Sequence, residues 1–522
     1  MLAAPSSTLE RFRRAVNRPT VALVAVGILA ATLRLTHVTY PEQRIFDEYY
    51  YSKSACIFLG YSNRRCDINS EDERYWRRER GDVGSWVHPP LGKWAIALGE
   101  LAFGPDSFGW RFSAVIFGTA GVVMLAAIAQ LLFRRPIWTF TAGLLLATEN
   151  LHFVQSRVAM LDVFVTTWIV AGFLLLVVDR HWIDRRTFGD EEGESAEAGA
   201  PGAYSPLAAS GSRSNAPASE GLAGGSGAPS APASADVHRG LPEPLFRPWR
   251  LAAGGAFGAA VATKWSGLTA IATAILVSIM WERTRRKRFG VGRPVWRAVQ
   301  SEGFGIVISL LLVPTAVYVV SYAGWFVEHG LRFSEWMRLQ GDIAGYHAAL
   351  KVADEAGKPI HPYLSEGWKW ILLVRPVLYY SRYPVEGLRK VIYANGNPAV
   401  FWGGMLAVPF ALFRWRQRRD WRAGFVAMTV LGLYVPWLFV SRPQFLFYAT
   451  PITPFLVLAC VYALKDVSEL HVAGSRSRPY LPFAIGFVVL SVGLFVWFWP
   501  TLTGGPLSDE AFRLRAWFPS WT

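Results

Sequence analysis

Charge is scarce in this sequence. Asp, Glu, Lys and Arg make up 17% of its 522 residues, against roughly a quarter in soluble domains. Cysteine is nearly absent, with three in the whole chain, and no Cys/His spacing resembles a zinc site. No glycine-rich phosphate loop occurs, and no internal repeat is visible. These absences argue against a soluble domain, a zinc module and a phosphate-loop nucleotide enzyme. What is abundant is apolar: 52% of residues are hydrophobic, 14% are aromatic and 23 are Trp. The apolar residues fall in long blocks, several long enough to cross about 30 Å of hydrocarbon as helices. The chain is read as an all-α polytopic membrane protein.

About eleven spans are expected, near 20–38, 108–133, 137–151, 160–178, 249–264, 266–282, 303–323, 397–413, 423–440, 445–464 and 480–500. Residues 92–103 are apolar but too short and too polar to cross, and read as a helix lying at the interface. The first span reads as an uncleaved signal anchor.

Basic residues orient the bundle. They cluster before the first span (Arg11, Arg13, Arg14, Arg18), after the second (Arg134, Arg135), after the sixth (Arg283 to Arg288) and after the eighth (Arg414 to Arg422). With eleven spans all of these fall on one side, which the positive-inside rule assigns to the cytoplasm. The net charge of +15 is then mostly topological, and a nucleic-acid role is weak because no basic cluster belongs to a soluble domain.

The domain reading follows. Residues 1–19 form a cytoplasmic N-terminal tail, and 20–183 an N-terminal transmembrane module with a first external loop at 39–107. Residues 184–247 form a disordered cytoplasmic linker, rich in Ala, Gly, Pro and Ser. Residues 248–522 form a C-terminal transmembrane module with an external loop at 324–396. Cys56 and Cys66 share the first external loop, where a bridge and two free thiols are both open readings. Cys460 reads as a packing residue inside a span.

The polar residues of interest gather on the external side. Asp47 and Glu48 lie just beyond the first span, where a carboxylate can act as a base on a lipid-borne substrate. His88-Pro89-Pro90-Leu91-Gly92-Lys93 and Gly109-Trp110-Arg111-Phe112 follow. There His88, Lys93 and Arg111 around a rigid Pro-Pro turn suggest a phosphate site rather than simple snorkelling. Arg157 and Asp162, five apart at a helix start, can pair with each other or serve the site. His361, Arg375, the Asn395-Gly396-Asn397-Pro398 run and Arg442-Pro443-Gln444-Phe445-Leu446-Phe447-Tyr448 complete the set.

In this order these motifs resemble the protein O-mannosyltransferases, the polyprenyl- or dolichyl-phosphate-mannose–protein mannosyltransferases of the GT-C superfamily. The likeness covers nearly the whole chain outside the N-terminal tail and the linker. The loop 324–396 is too short for the β-trefoil domain of the eukaryotic branch, so the chain looks like the bacterial, actinobacterial-type branch. The resemblance implies a GT-C fold and transfer of mannose, with inversion, from polyprenyl-phosphate-mannose to Ser or Thr hydroxyls of secreted or membrane proteins. Acceptors would be met at the external face of the plasma membrane, with the secretion translocon as a candidate partner. Asp47 would be the base, and Glu48 would hold the acceptor or orient the site. His88, Lys93 and Arg111 would hold the donor, with Arg157 and Asp162 in support and His361 and Arg375 as further candidates. No obligatory protein-bound metal is expected, and a divalent cation is left open.

The chemistry agrees with a transferase. A lipid phosphate leaves as a stable anion, so one base and nearby positive charge suffice. A glycosidase would need two carboxyls flanking one bond, and adjacent residues such as Asp47 and Glu48 diverge. Two alternatives stand beside this: a related GT-C transferase moving another sugar to a glycan or lipid, and a polytopic lipid or sugar transporter, against which no related halves are visible.

Overall fold

Every apolar stretch named above becomes a helix, the conformation that satisfies backbone polar groups within one segment in hydrocarbon. The computed structural model describes residues 18–68, 86–198, 247–288, 290–470 and 478–521. The chain opens with α1 (Pro19–Leu35), whose first-turn proline lacks an N–H that no helix start needs. The short α2 (Glu48–Phe58) and α3 (Leu91–Phe103) lead into α4 (Ser107–Phe133). Asp106 caps α4 by accepting from the N–H groups of Phe108 and Gly109. Arg134 is left-handed and Pro136 begins α5 (Pro136–Ala147), so the chain reverses at once.

Next come α6 (Asn150–Gln155), α7 (Leu161–Ala198), α8 (Pro248–Thr263) and α9 (Leu268–Arg288). The helix α10 (Pro294–Val307) continues through one π turn to Ser321. Beyond α11 (Phe333–Ala349), the bundle is completed by α12 (Pro398–Arg418), α13 (Trp421–Tyr434), α14 (Thr453–Ser468) and α15 (Leu481–Thr503). Among the described residues seven helices are long and apolar enough to cross a membrane, and α1 and α5 are shorter apolar helices.

Three points refine the sequence reading. The fold is mostly helical, as expected, and adds a small sheet: β1 (Val377–Val385), β2 (Leu388–Ala394) and β3 (Pro506–Ser508) form an antiparallel sheet in the order β1-β2-β3. Both long strands are rich in β-branched and aromatic residues. Gly387, between them, has a φ of 72°, which only glycine adopts freely. The second is at the linker. The helix α7 runs to Ala198, past the expected boundary at 184, and the remainder, 199–246, lies outside the described residues. Both margins of the expected linker are ion-paired: Asp184 with Arg285, and Arg247 with Asp179, Glu282 and Glu302. The third settles an open choice, since Cys56 and Cys66 are disulfide-bonded.

These ion pairs gather the start of α8, the last turns of α9, the first part of α10 and the late turns of α7 at one end of the bundle. Arg135 pairs with Glu469 and Arg414 with Asp466 at the same end. The beginnings of α4 and α7 and the end of α8 lie at the other end, with Asp47 and Glu48. The N-terminal tail falls outside the described residues up to residue 17.

The corner between α3 and α4 depends on glycine. A Cβ on Gly109 would sit 1.8 Å from the carbonyl oxygen of Gly104, and one on Gly99 would sit 2.3 Å from the carbonyl oxygen of Gly109. Backbone atoms cannot yield as a side chain would. We predict that Gly109→Ala costs about 1–3 kcal/mol as overpacking, seen as a lowered melting temperature of the detergent-solubilised protein. An unchanged melting temperature would contradict this close approach.

Candidate active site

The site is built around one buried ion pair. Glu48, the first residue of α2, is fully buried, as is Arg111 in the first turns of α4. Arg111 Nε donates to Glu48 Oε1 at 2.8 Å and its second terminal nitrogen to Oε2 at 2.9 Å. The remaining guanidinium N–H groups reach the carbonyls of Val38, Pro41 and Gln43. The Glu48 carboxylate also accepts from the N–H groups of Ile45 and Ala159. The loop between α1 and α2, the start of α4 and the approach to α7 are thereby tied at one point. Arg111 has no donor left over, so it does not face a ligand as expected from the sequence. Glu48 is likewise committed, which fits orienting the site and not holding an acceptor.

Asp47 is the helix N-cap residue beside this clamp, and its carboxylate is only half-buried. Among the described residues it accepts no hydrogen bond. On its other side Phe46 is held by rings: it stacks on Tyr379 at 4.7 Å and meets Phe447 and His361 edge-on at 5.6 and 6.2 Å. Desolvation pushes the Asp47 pKa up to about 6, with Lys264 opposing the rise and Asp162 adding to it. An ionised carboxylate with no competing donor, held at both flanking residues, is poised to take a proton.

Asp162, in the first turn of α7, does not pair with Arg157. Its oxygens accept from Lys264 Nζ at 2.8 and 3.0 Å. Lys264 follows the last residue of α8 and lies over the Tyr448 ring at 4.4 Å. Arg157 instead donates to the carbonyl of His37 at 2.9 Å and sits over Phe153.

Next to Lys264 is a cavity of about 230 Å³, lined by His88, Lys264, His347 and Arg442 among others. His347, on α11, bonds the Val87 carbonyl through Nε2 at 2.9 Å and accepts from Arg442 at its Nδ1 at 3.1 Å. That arrangement places the His347 proton on Nε2, with a neutral ring. His88 lies 5.3 Å from His347 between ring centres. Burial holds the His88 pKa well below the usual imidazole range, and Lys264, His347, Lys93 and Arg442 lower it further. Lys93 Nζ donates to the His88 carbonyl at 2.9 Å, anchoring the residue that lines the cavity.

The other two expected residues lie at the margin. His361 is half-buried and edges against Phe46 and Phe445. Arg375 bonds the carbonyls of Pro362 and Ser520, bracing the loop 324–396 against the C-terminal segment. The sequence reading did not single out Lys264 or His347. A basic residue closing a short apolar helix was the available signal for Lys264, while His347 carried none. Among the described residues no three His, Cys, Asp or Glu side chains group to hold a metal ion.

Residues 24–187 match the family model described as dolichyl-phosphate-mannose-protein mannosyltransferase, and 332–521 match the C-terminal four TMM region of protein-O-mannosyltransferase. A polyprenol-phosphate-mannose–protein mannosyltransferase of Mycolicibacterium smegmatis is 30% identical over 96% of this chain and 92% of its own length. The chain belongs to the protein O-mannosyltransferase family. Its counterpart by the same name in Mycobacterium tuberculosis is 29% identical over 98% of this chain and 93% of its own length. The S. cerevisiae protein O-mannosyltransferase Pmt1-Pmt2 complex bound to the sugar donor shares the fold, with a TM-score of 0.66 at 13% identity, over 96% of this chain and 92% of that one. The fold of this family member is thus of the GT-C type.

The Glu48–Arg111 clamp makes a direct prediction. Lys at 111 would present three donors from one nitrogen where a planar guanidinium now serves five acceptors. Arg111→Lys keeps the charge but leaves buried acceptors unmatched, so it should destabilise the protein by about 1–3 kcal/mol, with loss of activity in parallel. A stable and active Lys variant, judged by melting and by transfer assays, would remove the clamp from the account.

Proposed function

We propose that this protein transfers mannose from polyprenyl-phosphate-mannose to Ser or Thr hydroxyls of secreted or membrane proteins, inverting the anomeric centre. The single observation that carries the reading is the recessed Asp47 carboxylate, held at both flanks and without a hydrogen bond among the described residues, near a cavity lined by Lys264, Arg442, His88 and His347. Asp47 takes the proton of the acceptor hydroxyl as its oxygen bonds to the anomeric carbon. The bond from that carbon to the phosphate oxygen breaks, and the electron pair leaves with the phosphate. A single displacement inverts the centre and leaves only one carboxylate to do proton chemistry.

The cavity residues supply what the departing phosphate needs. Lys264 and Arg442 provide positive charge, the neutral His88 ring can offer an N–H without fixed charge, and His347 holds Arg442 in place. Asp162 holds Lys264, Lys93 holds His88, and Glu48 with Arg111 holds Asp47, so these four are positioning residues. Arg157 braces the end of α1, His361 borders the aromatic wall beside Phe46, and Arg375 secures the external loop.

The site faces the exterior of a bacterial plasma membrane in this reading, with the N-terminus in the cytoplasm. Support comes from the basic residues at the opposite end of the bundle, by the positive-inside rule. Acceptor chains would then reach Asp47 as they leave the secretion translocon.

Asp47→Asn keeps the side chain's size and removes the proton acceptor. Single-turnover transfer from polyprenyl-phosphate-mannose to a Ser/Thr-rich peptide should fall roughly a hundredfold or more, with donor binding retained. Loss of donor binding to the same degree would make Asp47 part of the phosphate site instead.

The pH profile gives an independent check. A base works when ionised, and a pKa of about 6 places the loss of activity higher than an ordinary carboxylate would. Acceptor kcat/KM should be level from pH 7 to 8 and decline about tenfold per pH unit below about 6. A flat profile down to pH 5 would rule Asp47 out as the base.

A further inference from the structure

The basic end of the bundle holds a second cavity. It measures about 470 Å³ and lies between the end of α9, the end of α12 and the start of α13. Arg283, Lys287, Arg416 and Arg419 line it, and among the described residues no carboxylate does. We propose that this cavity binds the headgroup of an anionic phospholipid, in the leaflet opposite the candidate active site.

Basic residues at this end are expected from topology alone, so their pairing is the informative feature. Arg247 is matched by Asp179, Glu282 and Glu302, Arg285 by Glu282 and Asp184, and Arg414 by Asp466. By contrast, among the described residues the four cavity cations make no ion pair and no side-chain hydrogen bond. Four like charges facing one hollow repel each other, and an anion seated among them relieves that repulsion. Trp281, Trp415 and Trp421 also line the cavity, and indole rings are enriched at headgroup depth in bilayers.

The surrounding surface has the shape of a lipid. On α9, Leu276, Met280, Arg283 and Lys287 recur at four-, three- and four-residue steps and share one face. Leu276 is 56% exposed, and on α12 Phe413, also 56% exposed, precedes Arg416 by one turn. Apolar surface thus gives way to positive charge toward the helix ends, as acyl chain gives way to phosphate in a bilayer. Four cations suit a headgroup with two phosphates. Arg283 lies about 22 Å along α9 from its first residue, which follows the Lys264 turn, so the cavity is separate from the donor site.

The test uses purified full-length protein and diphosphatidylglycerol, with phosphatidylcholine as the neutral comparison, read by native mass spectrometry. The wild type should retain diphosphatidylglycerol at least tenfold more strongly than phosphatidylcholine. The variant R283Q/K287Q/R416Q/R419Q should lose that preference. A control, R185Q/R186Q/R293Q/R297Q, removes the same charge from exposed positions outside the cavity and should keep it. Millimolar inorganic phosphate should not displace the lipid. In the wild type, hydrogen exchange should slow across 280–288 and 415–425 when the lipid is added, a readout that needs no variant. Equal loss in the control, unchanged retention in the cavity variant, displacement by inorganic phosphate, or no protection of those segments would each overturn the proposal.

Discussion

The ion pair between Glu48 and Arg111 is the constraint on which the candidate site depends. A carboxylate and a guanidinium taken out of water are unfavourable unless every donor and acceptor finds a partner. Here they do, and the partners are backbone groups of two separate segments, the loop between α1 and α2 and the approach to α7. Satisfying the pair therefore fixes the path of the loop between α1 and α2. Asp47 has no freedom to choose its place, since Glu48 is locked after it and Phe46 is packed among rings before it. The acid that makes no bond of its own is set by the neighbours that make all of theirs.

The electrostatics of the site follow the same division. Burial raises the Asp47 pKa enough for it to accept a proton readily while staying mostly ionised at neutral pH. Lys264 is held by Asp162, which limits how far it can drop the basicity of Asp47. Positive charge and N–H donors lie to one side, around the 230 Å³ cavity. In the proposed mechanism the base and the groups that stabilise the leaving phosphate come from different segments, which leaves them free to act on opposite sides of the anomeric carbon.

Much of this was legible in the sequence because membrane helices and their caps are local. Span positions follow from apolar runs, and the acids beyond the first span stand out against so apolar a chain. What was hidden is non-local. Arg111 reads as a free cation at a helix start, and nothing near it reveals a partner 63 residues away. Arg157 and Asp162 suggested a local pair, yet Asp162 turns to Lys264, 102 residues on, while Arg157 reaches back to His37. His347 lies on a helix of the loop 324–396 that docks onto the turn at Val87, a contact with no local pattern. The sheet is non-local as well, since β3 comes from the C-terminal segment and pairs with β2 across the whole of the last helices.

A double-mutant cycle on Glu48 and Arg111 tests the central claim most directly. Single-turnover mannose transfer would be measured for Glu48→Gln, Arg111→Gln and the double variant, with correctly folded protein quantified in each. If the pair acts as one unit that places Asp47, each single change leaves a buried group unmatched, and the double variant should be no slower than the worse single variant. Losses that multiply across the two positions would mean that Glu48 and Arg111 contribute separately, and would contradict the clamp as the device that sets the base.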